Sequence, residues 1–326
     1  MAKNNKESGV YLACVPHVPL MQMQEKEQNG PLWQAYEARV AEFNKFNPDI
    51  VFVFGGDHYH GVHLKLMPTF IVGQIAEAID DCGGTPGKLD IPLEVSEACV
   101  KYLMAEDFDI ATSYAMVIDH GFSNVISAFM GALDSRPVVP VHINSMSSPR
   151  PTLKRCRLLG EAIGRFAKTL NKKVAFLGSG GLSHQTNFIF PEYADAEKNT
   201  RDFIVHGGAQ GEISLDAWKN GIDESMQHLS ADLISGKFKA PWINKEWDER
   251  FLEVFGSNDL TAFDDWTDSD VLEAAGYGGG EIRMWIAAAA AARAAGGPPI
   301  VIDYYSENTT LAIGAGVAHS ALEPAV

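Results

Sequence analysis

The sequence predicts an α/β fold in which a central, largely parallel or mixed sheet carries helices on its faces. Two observations support this prediction. Continuous apolar runs alternate with stretches of helical periodicity as far as about residue 185, as expected for strands buried on both faces of a sheet. Apolar residues make up 46% of the 326 residues, which is enough for a large core.

The predicted strands and helices alternate along the chain. Leu32, Tyr36 and Phe43 share one helical face between the first two apolar runs. This strand–helix–strand unit predicts that its two strands are parallel neighbours. Further helices are predicted at 93–105, 124–133 and 158–170. Strands are predicted at 9–15, 50–54, 109–118, 138–143 and 174–177, with two more, 300–305 and 310–313, near the end of the chain.

A separate helical section is predicted at about 194–275, which is acidic, rich in tryptophan and short of strand candidates. We expect it to act as a cap or subunit-contact section of a single domain spanning 1–326, and we expect a homo-oligomer. Asp268 or Ser269 is the expected N-cap of its last helix. Its helices are predicted near 196–205, 215–233, 245–255 and 268–275, and a strongly helix-prone segment, 282–295, follows Glu281.

Charge and composition exclude several classes of partner. The net charge of −16 disfavours nucleic-acid binding, which requires a basic surface. No apolar run reaches the roughly 18 residues of a membrane span, and residues 1–7 lack the apolar core of a signal peptide. The four cysteines form neither a CxxC motif nor a regular framework, so we expect reduced thiols and a cytoplasmic protein.

Four of the ten histidines follow predicted strands directly. Asp57 and His58 come just after a glycine pair that ends the most apolar strand. Because the carboxyl ends of parallel strands meet at one edge of a sheet, such residues converge there. The repeated pattern therefore predicts a site at this edge, to which His17, His58, His120 and His184 contribute.

The remaining histidines have no comparable pattern. We expect His60 and His63 to be partly exposed loop residues, with His60 as a possible neighbour of the site, and His142 to be a hydrogen-bonded core residue. Asp57 and Asp119 each precede a histidine of the site, and we expect them to stabilise loops rather than to pair with that neighbour. No role is predicted for His206, His228 and His319.

The residue types suggest a divalent metal held by nitrogen and oxygen ligands. His17 and His58 are the best nitrogen ligands, since both follow strands that we expect to be neighbours. Glu281 is the best carboxylate, although an acidic residue in the first turn of a helix is also explained by the helix dipole. Two competing motifs fail: Gln185 occupies a glycine position of the nucleophile elbow, and Ser183 a glycine position of the dinucleotide fingerprint.

Five short motifs, in order along the chain, resemble those of the class III (LigB-type) extradiol ring-cleaving dioxygenases. Within that family they are most similar to the enzymes of 2,3-dihydroxyphenylpropionate cleavage. The segment 159–166, LGEAIGRF, resembles the same subgroup. The motifs are VPHVP at 15–19, DHY at 57–59, DHGF at 119–122, LGSGGLSH at 177–184 and EIRMW at 281–285.

The resemblance implies Fe(II) bound by His17, His58 and Glu281, with His184 as base and His120 as acid. It also implies a catechol substrate, 3-(2,3-dihydroxyphenyl)propionate or a close relative, that O₂ opens beside the diol to a hydroxy-oxo dienoic acid. The histidines suit such proton transfers because their ordinary pKa of about 6.5 lies near neutrality. A propionate tail would need a local cation, for which Arg283 and Arg250 are weak candidates.

Two other functions remain open on the sequence. A zinc hydrolase uses the same types of ligand, and a metal-binding module would need the ligands alone. The two additional histidines, His120 and His184, argue against the module, because a binding site needs neither an acid nor a base. Oxygen uptake with Fe(II) and a catechol would separate the dioxygenase from the zinc hydrolase.

Overall fold

A mixed eight-stranded sheet forms the centre of the computed structural model, which describes residues 9–240 and 242–320. Residues 1–7, for which the sequence predicts no signal peptide, lie outside the described residues. The strands are β1 Gly9–Val15, β2 Ile50–Gly55, β3 Phe70–Gly73, β4 Ala76–Ala78, β5 Gly87–Lys88, β6 Ala111–Ser113, β7 Met116–Ile118, β8 Val138–Ile143, β9 Lys173–Ser179, β10 Ile300–Asn308 and β11 Ile313–Ser320.

Helices and strands alternate for the most part as far as β9, as the periodicity predicts, and five helices then follow one another before β10. Their bounds are α1 Leu20–Met23, α2 Gly30–Phe46, α3 Leu93–Ala105, α4 His120–Met130, α5 Leu153–Thr169, α6 Lys198–His206, α7 Leu215–Ile234, α8 Lys245–Gly256, α9 Asp268–Ala275 and α10 Ile282–Ala294. Short 3₁₀ turns span Lys26–Asn29, Leu260–Phe263 and Gly278–Glu281. No helix among the described residues has the length and apolar character needed to span a membrane.

The sheet order is β10-β11-β1-β9-β2-β8-β3-β6, and the central strands β1, β9, β2 and β8 are parallel. This confirms the predicted α/β fold with a mixed sheet. The expectation that β1 and β2 are neighbours was wrong, because β9 lies between them: Val174 pairs with Val10 on one side and with Ile50 on the other. The crossover through α2 places β1 and β2 one strand apart, and β9, which comes later in the chain, lies between them.

Side chains that alternate along the central strands build a separate core on each face of the sheet. In β1, Leu12 and Cys14 belong to one core and Tyr11 and Ala13 to the other, and all four are fully buried. The first core contains residues of α3, α5, α8, α9 and α10. The second contains residues of α2, α4, α6 and α7. The helical section 194–275 thus contributes α6 and α7 to one face and α8 and α9 to the other.

Three predicted boundaries were wrong for local reasons. The predicted strand 109–118 is two strands, because the chain turns at Tyr114 and β7 joins a small separate sheet with β4 and β5. The predicted strand 310–313 lies mostly in a turn: Asn308 Oδ1 accepts from Leu311 N at 2.9 Å, Ala312 has a φ of 56°, and β11 starts only at Ile313. The N-cap of α9 is Thr267, which forms a capping box with Asp270.

Helix α4 begins earlier than predicted and changes the setting of one site residue. The sequence predicts a helix at 124–133, whereas α4 starts at His120. Asp119 is its N-cap and accepts a hydrogen bond from Gly121 N at 2.9 Å. His120 is therefore held by the first turn of a helix rather than by a loop.

Candidate active site

The five residues that the sequence predicts for the site lie together at the carboxyl edge of the parallel strands. His17 follows β1, His58 follows β2, and His184 follows a glycine-rich turn after β9. His120 opens α4, and Glu281 ends the 3₁₀ turn before α10. Ring nitrogens of His17, His58 and His120 lie within 4.8 Å of one another. The convergence at one sheet edge is thus confirmed.

A hydrogen bond to Ser179 determines which nitrogen of His17 faces the site. The Ser179 hydroxyl donates to the carbonyl of Gly121 at 2.5 Å and therefore accepts from His17 Nδ1 at 3.0 Å. Nε2 of His17 is left 3.3 Å from Glu281 Oε1. Burial lowers the pKa of His17 more than the Glu281 charge raises it, so this ring is suited to be a neutral ligand.

Asp119 orients His58 in the same way. Its Oδ2 accepts from His58 Nδ1 at 2.9 Å and from the backbone N of His58 at 2.7 Å. His58 Nε2 then lies 3.6 Å from Glu281 Oε1. Burial alone would lower the pKa of His58, but the Asp119 and Glu281 carboxylates outweigh it and raise that pKa well above its usual range.

A close-packed glycine turn positions Glu281. Its Oε2 accepts from Gly181 N at 2.7 Å, and Trp285 Nε1 donates to the Gly180 carbonyl at 2.9 Å. A Cβ atom at Gly278 would lie 2.1 Å from His184 Nε2, so only glycine allows the turn to pass this close to the histidine. The glycine run before Glu281 is therefore a packing requirement of the site.

The other carboxylate oxygen, Glu281 Oε1, is buried and has no hydrogen-bond partner among the described residues. It faces Nε2 of His17, His58 and His184 at 3.3, 3.6 and 3.7 Å. Burial would raise the pKa of Glu281, but the neighbouring histidines outweigh it and hold that pKa well below its usual range. A buried carboxylate among imidazoles requires positive charge, supplied either by protons or by a divalent cation that displaces them. The donor set suits such a cation.

His120 and His184 also have their Nδ1 atoms engaged. His120 Nδ1 lies 2.5 Å from Asp81 Oδ2, and its ring stacks on that of His58 with centroids 4.3 Å apart. His184 Nδ1 donates to the carbonyl of Leu182 at 2.9 Å. Each ring therefore has Nε2 as the nitrogen free for chemistry, and both rings border the same cavity.

A cavity opens above these residues, the kind of concave surface at which small molecules bind. Its floor is polar and consists of the four histidines with Glu281, and most of the remaining lining is apolar. Helix α7 contributes Met226 and Leu229, so the helical section reaches the site. The site thus combines a possible metal, two free imidazole nitrogens and an apolar chamber.

Several residues lie elsewhere than the sequence predicts. His60 is buried rather than partly exposed, with Nδ1 3.3 Å from Asp119 Oδ2. His142 is buried in β8 but not hydrogen-bonded, since neither ring nitrogen has a partner among the described residues. Arg283 donates to Asp268 and to two backbone carbonyls, and Arg250 lies over the Trp266 ring. Neither arginine lines the cavity.

The predicted roles of Asp57 and Asp119 hold in one respect. Asp57 accepts from the backbone N atoms of Gly61 and Val62 at 2.9 and 3.0 Å, and Asp119 does not pair with the adjacent His120. The partnership of Asp119 with His58 was missed, as was Asp81 altogether. Asp81 lies in a loop 39 residues before His120, and no local pattern links the two.

The fold and the site define a class of protein: an α/β protein whose histidines and buried carboxylate form a cluster able to hold a metal at the floor of an apolar cavity. A family model described as the catalytic LigB subunit of aromatic ring-opening dioxygenase matches residues 11–318. The chain belongs to this family and is an extradiol catechol dioxygenase, as its motifs predict.

Curated relatives agree with this assignment. A Pseudomonas putida protein named 2,3-dihydroxyphenylpropionate/2,3-dihydroxicinnamic acid 1,2-dioxygenase 2 is 36% identical over 281 residues, covering 85% of this chain and 88% of its own length. An enzyme of Escherichia coli O139:H28, named as a 1,2-dioxygenase for the same two substrates, is 37% identical over 285 residues with the same coverage.

Proposed function

We propose that this enzyme binds Fe(II) through His17, His58 and Glu281 and opens a substituted catechol with O₂. The observation that carries the proposal is the buried, unpartnered Oε1 of Glu281 facing the histidine Nε2 atoms. Two histidines and one carboxylate are the ligand set typical of non-haem Fe(II) oxygenases, in which other coordination positions stay open. Ser179 and Asp119 hold the two imidazoles in the orientation that a metal requires.

When bound, iron supplies the electron transfer between catechol and O₂. Both oxygen atoms end in the product, a hydroxy-oxo dienoic acid, so the ring itself is the reductant and no other is needed. The carbon–carbon bond that breaks lies beside the diol.

His184 is the proposed base. Its Nδ1–H is held by the Leu182 carbonyl, which leaves Nε2 to accept a proton from a catechol hydroxyl. Glu281 raises the pKa of His184 against the effect of burial, so the ring can retain that proton. Removing protons from the diol is necessary before it can chelate a metal.

His120 is the proposed acid. Its Nδ1 is held by Asp81, so any proton given to the reacting group leaves from Nε2. This hydrogen bond keeps Nε2 directed into the cavity. Proton donation of this kind assists cleavage of the oxygen–oxygen bond.

The proposed substrate is a catechol that carries a substituent next to the diol. The relatives are named for 2,3-dihydroxyphenylpropionate and 2,3-dihydroxicinnamic acid, so 3-(2,3-dihydroxyphenyl)propionate and its close relatives form the group to test. The apolar lining of the cavity supports a substituted aromatic ring.

Metal exchange tests the proposal against a zinc hydrolase on the same ligands. The enzyme is stripped of metal under nitrogen, divided, and loaded with Fe(II) or Zn²⁺, and oxygen uptake is followed after addition of catechol. We expect uptake and ring-opened product with Fe(II) alone, since zinc has no accessible second oxidation state. Ring opening by an iron-free zinc preparation would exclude the iron proposal.

We also propose a cytoplasmic homo-oligomer in which residues 1–326 act as one domain. All four cysteines are buried free thiols, which supports a reducing compartment. Pairing of β1 with both β9 and β11 supports one domain, and Met226 and Leu229 in the cavity support a capping role for 194–275. Exposed apolar side chains such as Ile234 and Phe238 support subunit contacts, which light scattering would test.

A further inference from the structure

Large apolar side chains supply much of the cavity lining. We call this set the apolar wall; it consists of Phe188, Ile189, Met226, Leu229, Trp242 and Leu311. The Phe188 and Trp242 rings lie 5.7 Å apart, and the other members pack into one hydrophobic cluster. A ring whose diol reaches the histidines must place its substituent against other lining residues, and most of those are apolar.

Positive charge is absent from this wall. No lysine or arginine lines the cavity among the described residues. Two buried arginines are already paired with carboxylates of the protein. Arg283 forms an ion pair with Asp268, and Arg150 forms ion pairs with Asp268 and Glu192. The net charge of the chain is −16, which repels anions at long range.

Two uncharged polar side chains complete the lining. Gln185 Oε1 accepts from Tyr277 N at 2.8 Å, and the hydroxyl of Thr186 is buried without a partner among the described residues. Neither side chain supplies a positive charge: the Thr186 hydroxyl and the Gln185 NH₂ group are neutral donors, and a carboxylate has about four acceptor positions. Burying a charge that is only partly satisfied costs far more than burying a neutral group.

We propose that this enzyme prefers catechols whose ring substituent is uncharged, an alkyl, aryl or ester group, over catechols with a carboxylate tail. This inference rests on the proposed function and specifies its substrate class. The proposed preference differs from the substrates for which the relatives are named, because both of those substrates carry a carboxylate.

Paired substrates test the preference on the wild-type iron-loaded enzyme. The pair is 3-(2,3-dihydroxyphenyl)propionate and its methyl ester, which differ in charge but hardly in shape, with 3-propylcatechol and unsubstituted catechol alongside. We expect kcat/KM for the ester and for 3-propylcatechol to exceed that for the acid at least about tenfold. An acid that is as good as its ester, or better, would overturn the inference. Failure to open any of the four, including catechol, would instead refute the proposed function.

A charge placed in the wall tests where the substituent lies. Leu229→Arg should raise the acid-to-ester ratio of kcat/KM about tenfold or more, because the new guanidinium pairs with the carboxylate. Gln227→Arg is the matched control: it adds the same charge to the same helix at an exposed polar position outside the cavity, and should leave the ratio unchanged. A folded Leu229→Arg enzyme with the wild-type ratio would show that the substituent does not contact the wall.

Thr186→Val tests the remaining alternative, that the unpartnered hydroxyl holds a carboxylate. The substitution keeps the shape of the side chain and removes its hydroxyl. We expect the acid-to-ester ratio to stay unchanged. A selective loss of activity on the acid would show that Thr186 recognises the carboxylate and would overturn the preference for uncharged tails. Far-ultraviolet circular dichroism and iron content establish that each variant is folded and loaded.

Discussion

At the scale of single residues, the partner of Nδ1 determines what each histidine of the site can do. A serine hydroxyl, two aspartates and a backbone carbonyl each occupy one Nδ1 and turn Nε2 toward the cavity. His17, His58, His120 and His184 are thereby held as four similar rings with different neighbours. His142, which has no such partner among the described residues, is buried and neutral instead.

The ligand set is the first prediction at this scale. His17→Ala, His58→Ala and Glu281→Ala should each lose most bound iron, because a three-ligand site that loses one ligand loses much of its affinity. His120→Ala and His184→Ala should retain it. Iron is measured after anaerobic loading and desalting. Near-normal iron in Glu281→Ala together with iron loss in His120→Ala would show that the three clustered imidazoles, rather than the carboxylate triad, hold the metal.

Asp81 is predicted to be the positioning residue of His120. Asp81→Asn removes the charge beside Nδ1, and Asp81→Ala removes the acceptor, so kcat should fall by about 10- to 100-fold, more in the alanine variant. KM for catechol and iron content should change little. The control is Asp80→Asn, an exposed neighbour on the same loop, which should behave as wild type. A rise in KM with unchanged kcat would argue for substrate binding instead.

His142 is predicted to make stability depend on pH. Burial lowers its pKa to about 4 from 6.5, so below pH 6.5 the unfolded chain binds a proton that the folded protein does not, and stability falls as the pH is lowered. Between pH 7.5 and 5 this one group should cost about 2 kcal/mol of the free energy of unfolding. Urea unfolding of His142→Gln should show a correspondingly smaller loss.

The matched control for that experiment is His228→Gln, at an exposed position. It should lose as much stability as wild type over the same pH range. Equal losses in wild type and His142→Gln would show that the pKa of His142 is the same in the folded and unfolded states.

At the scale of elements, the contact between α5 and α10 sets the position from which Glu281 enters the site. Gly160 and Gly164 lie one turn apart on α5 and pack on the backbone of α10. Helix α10 starts at Ile282, directly after the proposed ligand. Small residues at this contact allow the two helices to approach closely and keep the start of α10 against the glycine turn.

Gly164→Ala is therefore predicted to destabilise the enzyme. The added Cβ would lie 2.1 Å from the carbonyl oxygen of Ala291, and the helices must separate. We expect a loss of about 1–3 kcal/mol in urea unfolding and weaker iron retention. Gly221→Ala, in the exposed interior of α7 with no atom within 4 Å of the new Cβ, should instead stabilise by roughly 0.5–1 kcal/mol. Equal effects of the two changes would argue against the close contact.

At the scale of the whole molecule, the site joins segments from nearly the full length of the chain. Strands from the beginning, middle and end of the chain pair in one sheet, and residues as distant as His17 and Glu281 share one cavity. Metal binding should therefore stabilise the folded molecule as a whole, because the unfolded chain has no preformed site.

Removal of the metal is predicted to lower the Tm of the whole enzyme. With free Fe(II) at about 100 times its Kd, the folded state gains about 2.7 kcal/mol, or roughly 5 °C in Tm for a chain of this size. Anaerobic thermal unfolding of metal-free and loaded enzyme measures the shift, with Glu281→Ala as the control that should show little of it. An unchanged Tm in wild type would mean that the metal binds weakly or elsewhere.

Local sequence patterns were enough to predict the fold class, most helices, the central strands and the convergence of five residues at one sheet edge. They could do so because apolar periodicity and glycine turns are local signals, and because parallel strands bring their carboxyl ends to one edge. The family motifs then identified the chemistry.

The remaining features depend on residues far apart in the chain, and the folded structure is needed to see them. The insertion of β9 between β1 and β2, the pairing of Asp81 with His120 and the engagement of Arg283 by Asp268 have no local signature. The same holds for the apolar wall, whose members come from four separate segments and whose polarity bears on substrate choice. Local pattern placed the reactive groups, and long-range packing determined their partners.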